Sequence, residues 1–273
     1  MSTAVLTPTR RSGARTAFVA LLLRDLAVLR KEVGMFLGRT IMQPLLLIFV
    51  FTYVFPKIGT GIGGAQGEAS FSTLLVGGVI ASSMIFQGVQ AVSLPLVQDF
   101  GYTREIEDRV LAPMPVWAVA MGKVTSGAVQ ALLASLVVFP LAYFIPATPV
   151  DIHVHWAILL TVLPLSAVMS AAMGLTIGTR VEPRQVPLIF SLLVIPMTFL
   201  GAVYYPWTEL SPLPWLKTAV LINPLVYMSE GMRAALTSGV PHMALWAIYG
   251  ALTIFTVVFL RLGIAGFAKR VLS

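Results

Sequence analysis

Of the 273 residues, 58% are hydrophobic and only 11% are charged, and there is no cysteine. A soluble domain carries about 25% charged residues, so this chain lacks the solvated surface of a water-soluble fold, and disulfides and thiolate metal sites are excluded. The net charge of +7 could suggest nucleic acid, but the cations flank apolar runs, where they orient a membrane protein.

The N-terminal stretch comes first. Arg10, Arg11 and Arg15 precede apolar residues, but Arg24, Asp25, Arg30, Lys31 and Glu32 interrupt them before any small-residue cleavage site. A cleavable signal peptide is not expected. Between residues 14 and 33, Phe18, Leu22, Leu26, Leu29 and Val33 recur at steps of three and four, one stripe of a helix. Arg24 and Lys31 lie opposite it. Such a helix lies along the membrane surface. Asp25 and Glu32 border the stripe, an odd choice against anionic lipid alone, so a plain anchor and a helix that also contacts a cytoplasmic partner both stay open.

A hydrocarbon core about 30 Å thick needs roughly 20 apolar residues in helix. Six runs qualify: 36–55, 71–98, 116–145, 156–178, 186–205 and 243–260. Prolines 44, 95, 140, 164 and 196 lie in or near them, which membrane helices tolerate when neighbours re-satisfy the freed carbonyls. With the N-terminus inside, fifteen of the eighteen Lys and Arg residues fall on the cytoplasmic side, leaving only Lys57, Lys217 and Arg233 outside. The positive-inside rule therefore predicts six spans with both ends in the cytoplasm.

Between the second and third runs, 99–109 carries six charges in eleven residues. Arg104 with Asp108 and Glu105 with Arg109 stand four apart, and Glu107 lies between them, so a short helix is supported by ion pairs. Pro113 and Pro115 stop it. A solvated turn and a docking element both fit, and the mixed charge favours docking.

The stretch 206–241, outside by parity, is too apolar for an exposed loop. Leu213, Pro214 and Trp215 precede a short apolar run, Asn223-Pro224 breaks it, and Leu225 to Met228 resume it before Glu230 and Arg233. Two short helices that enter the outer leaflet and return explain the pattern, provided protein buries the turn. Lys217, Glu230 and Arg233 should then face headgroups, each other or a wet cavity. A seventh span would put Lys269 and Arg270 outside, against the charge rule.

No phosphate loop occurs: Gly122-Lys123 is followed by Val124, and Trp117 stands where the first Gly is required. No ionisable residue is expected near the middle of a span, which speaks against an ion-coupled carrier. His153 and His155 resemble a ligand pair but lack companions beyond Asp151. Tyr204, Tyr205 and Trp207 suit an interfacial aromatic belt or a ring-stacking surface equally.

The chain resembles the permeases of the type-2 ATP-binding-cassette exporter family, which includes daunorubicin-type and nodulation-factor-type exporters. The resemblance covers almost the whole length. It rests on the amphipathic helix, on Glu105-Ile-Glu-Asp-Arg-Val-Leu-Ala-Pro-Met-Pro-Val-Trp117 ending in Gly122-Lys123, and on Pro206…Leu213-Pro-Trp-Leu216…Asn223-Pro-Leu225…Glu230-Gly-Met-Arg233. It implies an all-α integral membrane protein in three parts: a flexible cytoplasmic N-terminus (1–13), a connecting helix (14–33) with Arg24, Asp25, Lys31 and Glu32, and a six-helix transmembrane domain (34–273). It further implies a coupling helix at Arg104, Glu105, Glu107, Asp108 and Arg109 that docks on ATPase subunits, and outer re-entrant helices. The implied protein is a non-catalytic permease of the bacterial cytoplasmic membrane, paired with a second protomer, with ATP and magnesium held by the partner ATPase. Its cargo would be a drug, lipid or glycoconjugate. A secondary transporter or channel without an ATPase is the alternative.

Overall fold

The computed structural model describes residues 10–58, 64–100, 115–147, 150–182 and 185–272, and among them every regular element is helical. Helix α1 (Arg10–Lys31) ends in a turn at Glu32 and leads into α2 (Val33–Ile48). The latter continues through a π-helical segment, Phe49–Val54, and a last turn, Phe55–Lys57. Next come α3 (Gly64–Gln98), α4 (Val116–Phe144) and α5 (Trp156–Arg180). Shorter pieces follow: α6 (Val186–Ile189), α7 (Ile195–Phe199), α8 (Pro214–Ala219) and α9 (Pro224–Leu236). Helix α10 (Leu245–Leu272) closes the fold.

Among the described residues, five stretches are long and apolar enough to cross a bilayer: Phe36–Val54, Phe71–Gln98, Val116–Phe144, Trp156–Arg180 and Leu245–Val271. The fifth expected run, 186–205, is the exception. It forms α6, a π-helical segment at Phe190–Val194, and α7, and its helix stops at Phe199. Pro196 offers no N–H to the ladder, and residues 200–205 turn away to meet α9. The described helix is therefore too short to qualify as a span of ordinary length. Two other boundaries also differ. Helix α1 begins at Arg10, inside the stretch expected to be flexible, and α10 runs twelve residues beyond 260, carrying Arg261, Lys269 and Arg270 on its last turns.

Helix α3 is the axis of the bundle. From Leu75 to Val97 most of its side chains are buried, because α2, α4, α5 and α9 pack around it. Apolar helices gain little from leaving lipid for one another, so small residues that let backbones approach decide such contacts. A Cβ on Gly88 would stand 2.6 Å from Ser170 Cβ, and one on Gly174 would stand 2.7 Å from the Val89 carbonyl. Helices α3 and α5 therefore touch backbone to backbone. Helix α10 also lies close against α5, here through side chains: a Cβ on Gly266 would meet Thr179 Oγ1 at 2.7 Å, and Thr176 Oγ1 donates to the Phe259 carbonyl at 2.8 Å.

The outward faces are apolar. Leu136, Leu160, Trp246 and Ile254 are exposed, as a lipid-facing surface requires. Tyr143, Phe144, Trp156 and Trp246 gather near one end of the bundle and Trp117 near the other, the two positions where amphipathic rings anchor to a membrane interface.

Candidate functional site

All thirteen residues of α9 are buried. Its C-terminal carbonyls, orphaned where a helix ends, accept from the extended strand-like segment ahead of α5: His153 N–H donates to Leu236 O at 3.0 Å and His155 N–H to Ala235 O at 2.7 Å. Its other end lies deeper, since Met228 reaches Ser170, more than halfway along α5. Asn223 builds the turn. Its side-chain oxygen accepts from Leu225 N–H at 3.0 Å, and its amide donates to Met197 O at 2.8 Å. Pro224 supplies the fixed φ of a first helical residue. The break at Asn223-Pro224 is thus a capped helix start pinned to the end of α7.

Two charges lie inside this buried helix. Arg233 Nη1 donates to Glu230 Oε1 at 2.7 Å, and both side chains are fully buried. Most of the remaining capacity of the pair is spent on the surrounding loops, while Arg233 Nε is buried without a hydrogen-bond partner. Arg233 Nη2 donates to the carbonyls of Ala202 and Val203, the latter at 3.2 Å. Glu230 accepts from Trp207 N–H at 2.9 Å and from Met243 N–H at 2.6 Å. One ion pair therefore ties together the turn after α7, the loop before α8 and the entry to α10. Ala202 has a φ of 53°, a left-handed conformation uncommon for alanine and held here by Arg233. Gly78 makes the approach possible, for a Cβ there would stand 2.2 Å from the Val203 carbonyl oxygen.

Helix α8 sits outside this knot. Leu213 precedes it, Pro214 opens it, and Leu213, Trp215 and Ile222 are exposed. Lys217 lies 4.5 Å from the centre of the Trp207 ring and donates to Ser211 Oγ at 2.9 Å, while the Trp207 indole donates to Lys217 O. Tyr204 packs on Phe51 and Phe199. These aromatics are engaged with their own chain. Leu225 is buried, Leu221 is half-buried, and Ser211 and Ser238 are exposed.

At the opposite end of the bundle, α1, the start of α2, α3 and α4 enclose a cleft of about 410 Å³. Asp25 and Leu29 are half-buried in it, and Arg24 and Glu32 stand at its rim. Lys31 is exposed. Of the predicted stripe, Leu22 and Leu29 are half-buried and Val33 is exposed because it already belongs to α2; the side chains of Phe18 and Leu26 lie outside the described residues. Arg104, Glu105, Glu107, Asp108 and Arg109 lie outside them too.

Two polar groupings went unread in the sequence. Asp99 and Lys123 form an ion pair at 3.2 Å, each side chain 11% exposed. Lys123 lies seven residues inside α4 and not in a loop. Above it, Thr40 Oγ1 donates to Gln87 Oε1 and Gln87 Nε2 to Gln130 Oε1, both at 3.3 Å. The signal was there: Gln87, Gln90 and Gln130 are amides in runs otherwise apolar.

Residues 16–237 match the ABC-2 type transporter family. The inner membrane transport permease YadH of Escherichia coli strain K12 is 29% identical over 236 residues, 84% of this chain and 88% of YadH. YadH of Shigella flexneri matches to the same extent. With five helices able to cross a bilayer and relatives that are inner membrane permeases, the protein is a multi-pass protein of the bacterial cytoplasmic membrane. The family match over most of the length decides it: the chain belongs to the ABC-2 type transporter family.

Proposed function

We propose that this chain is the permease subunit of an ATP-driven exporter, a homodimer that docks on two separate ATPase subunits and moves a drug, lipid or glycoconjugate outward. The family match over residues 16–237 carries the reading. The missing phosphate loop agrees with it, because a chain without its own nucleotide site must take its driving force from a partner. In this reading 186–205 completes a sixth crossing as a thinned, interrupted helix. The end holding α1, Lys123, Arg180, Lys269 and Arg270 faces the cytoplasm, and α8 and α9 form the outer re-entrant hairpin.

The coupling segment is Arg104 to Arg109. Co-expression with an ABC ATPase should give a complex whose ATP turnover needs both chains. Glu105→Lys with Asp108→Lys should abolish ATPase capture at unchanged membrane level, the separation expected if the two acids serve the partner rather than the fold. ATP hydrolysis by the purified single chain, free of contaminating ATPase, would overturn the reading. Transport that survives without any ATPase but stops on collapse of the proton gradient would favour the secondary-carrier alternative.

A further inference from the structure

We infer that the cleft between α1, α3 and α4 is a binding site for an amphiphile whose head carries an ammonium group. The sign of its charge makes the case. The chain carries +7 overall, and the same end of the bundle presents Arg30, Lys31, Arg180, Lys269 and Arg270. Yet among the described residues the cleft is lined by three carboxylates, Asp25, Glu32 and Asp99, against two cations, Arg24 and Lys123. Lys123 is held by Asp99 at 3.2 Å, so among the described residues Asp25 on α1 and Glu32 in the turn after it give the cleft its excess negative charge. An anionic head would be repelled there, and a cationic one drawn in.

The other wall is apolar. Val28, Leu29 and Phe36 face Ala91, Leu94 and Pro95 across the same space, and Phe36 is almost fully buried. Gln90 and Gln130 add amide groups at the inner limit of the cleft. A volume of about 410 Å³ falls within the range of sites that enclose a small ligand, about 300–1,000 Å³. A head beside Asp25 and Glu32 with a chain along Leu94 and Pro95 satisfies both walls together. It also explains two acids on a helix that otherwise suits an anionic membrane surface. The site deepens the permease reading and rests on it only for the leaflet it faces, the cytoplasmic one.

Two sources share this chemistry: a membrane phospholipid with an ethanolamine head, and a soluble cationic amphiphile. The full-length protein is extracted from bilayers of equal phosphatidylethanolamine and phosphatidylglycerol, and retained lipid is read by native mass spectrometry. Binding of dodecyltrimethylammonium is measured in parallel by calorimetry in a neutral detergent. Retention of phosphatidylethanolamine over phosphatidylglycerol identifies a lipid; binding of the soluble amphiphile alone identifies a soluble ligand. In either case Asp25→Asn with Glu32→Gln should weaken binding about tenfold or more. Ala91→Phe, which fills the cleft, should do the same, and Asp25→Glu should keep the preference. Equal retention of both lipids together with no binding of the amphiphile beyond that of the Ala91→Phe variant overturns the inference. The assay needs neither ATP nor an ATPase, so its failure leaves the permease reading intact.

Discussion

Glu230 and Arg233 cost desolvation energy that their mutual contact and the backbone groups around them offset, with Arg233 Nε alone left unpartnered in the pair. Breaking a buried pair by removing one partner typically costs about 3–5 kcal/mol, whereas replacing both with apolar groups is often close to neutral. Here Arg233→Met leaves a bare carboxylate among Trp207, Met243 and α9, and Glu230→Gln leaves a bare guanidinium. Each single variant should lower the thermal midpoint in detergent strongly, and the double variant should recover part of the loss. A double variant as damaging as the sum of the singles would show that the two charges act separately. Asn223→Ala should cost about 1 kcal/mol, the usual worth of an N-cap, and should loosen the contact with Met197.

At the level of elements, backbone proximity does the work that apolar burial does in water. Helices α3 and α5 meet through Gly88 and Gly174, and the first cannot grow without striking Ser170. Gly174→Leu should therefore force α5 off α3 and lower the yield of folded, monodisperse protein, measured by size exclusion after extraction. Gly250→Leu, at a glycine with no atom near its missing Cβ, should be silent in the same assay. An unaffected Gly174→Leu variant would mean that the two helices are held by something other than close contact. Helix α9 shows the complementary case: it is buried by α3, α5 and α10 on every side, so its polar pair is held by the loops and not by solvent.

For the molecule as a whole the testable statement is topology. In the six-crossing arrangement the 206–241 stretch begins and ends on one side of the membrane. Ser211 and Ser238 are exposed, one on each side of the buried α9, and the chain has no cysteine of its own. Ser211→Cys and Ser238→Cys should both react with an impermeant thiol reagent applied from outside. If Ser238→Cys labels only from the cytoplasmic side, the stretch crosses the membrane and the hairpin is wrong.

The amino-acid sequence by itself determined the class of protein. Composition, the length of the apolar runs and the placement of Lys and Arg leave little besides a helical bundle in lipid, because each is a one-dimensional quantity that the bilayer reads directly. It also located the break at Asn223-Pro224, since a capping side chain followed by proline starts a helix whatever surrounds it. Only the tertiary structure decided what the charges meet. Glu230 and Arg233 lie one turn apart, so their pairing was open to reading, but Ala202, Trp207 and Met243 come to them from three other segments. Asp99 and Lys123 lie twenty-four residues apart and pair only because α3 and α4 run side by side. The shortfall of the 186–205 run has the same origin: its hydropathy is that of a span, and its last residues are drawn out of helix by partners on α9 that no local pattern records.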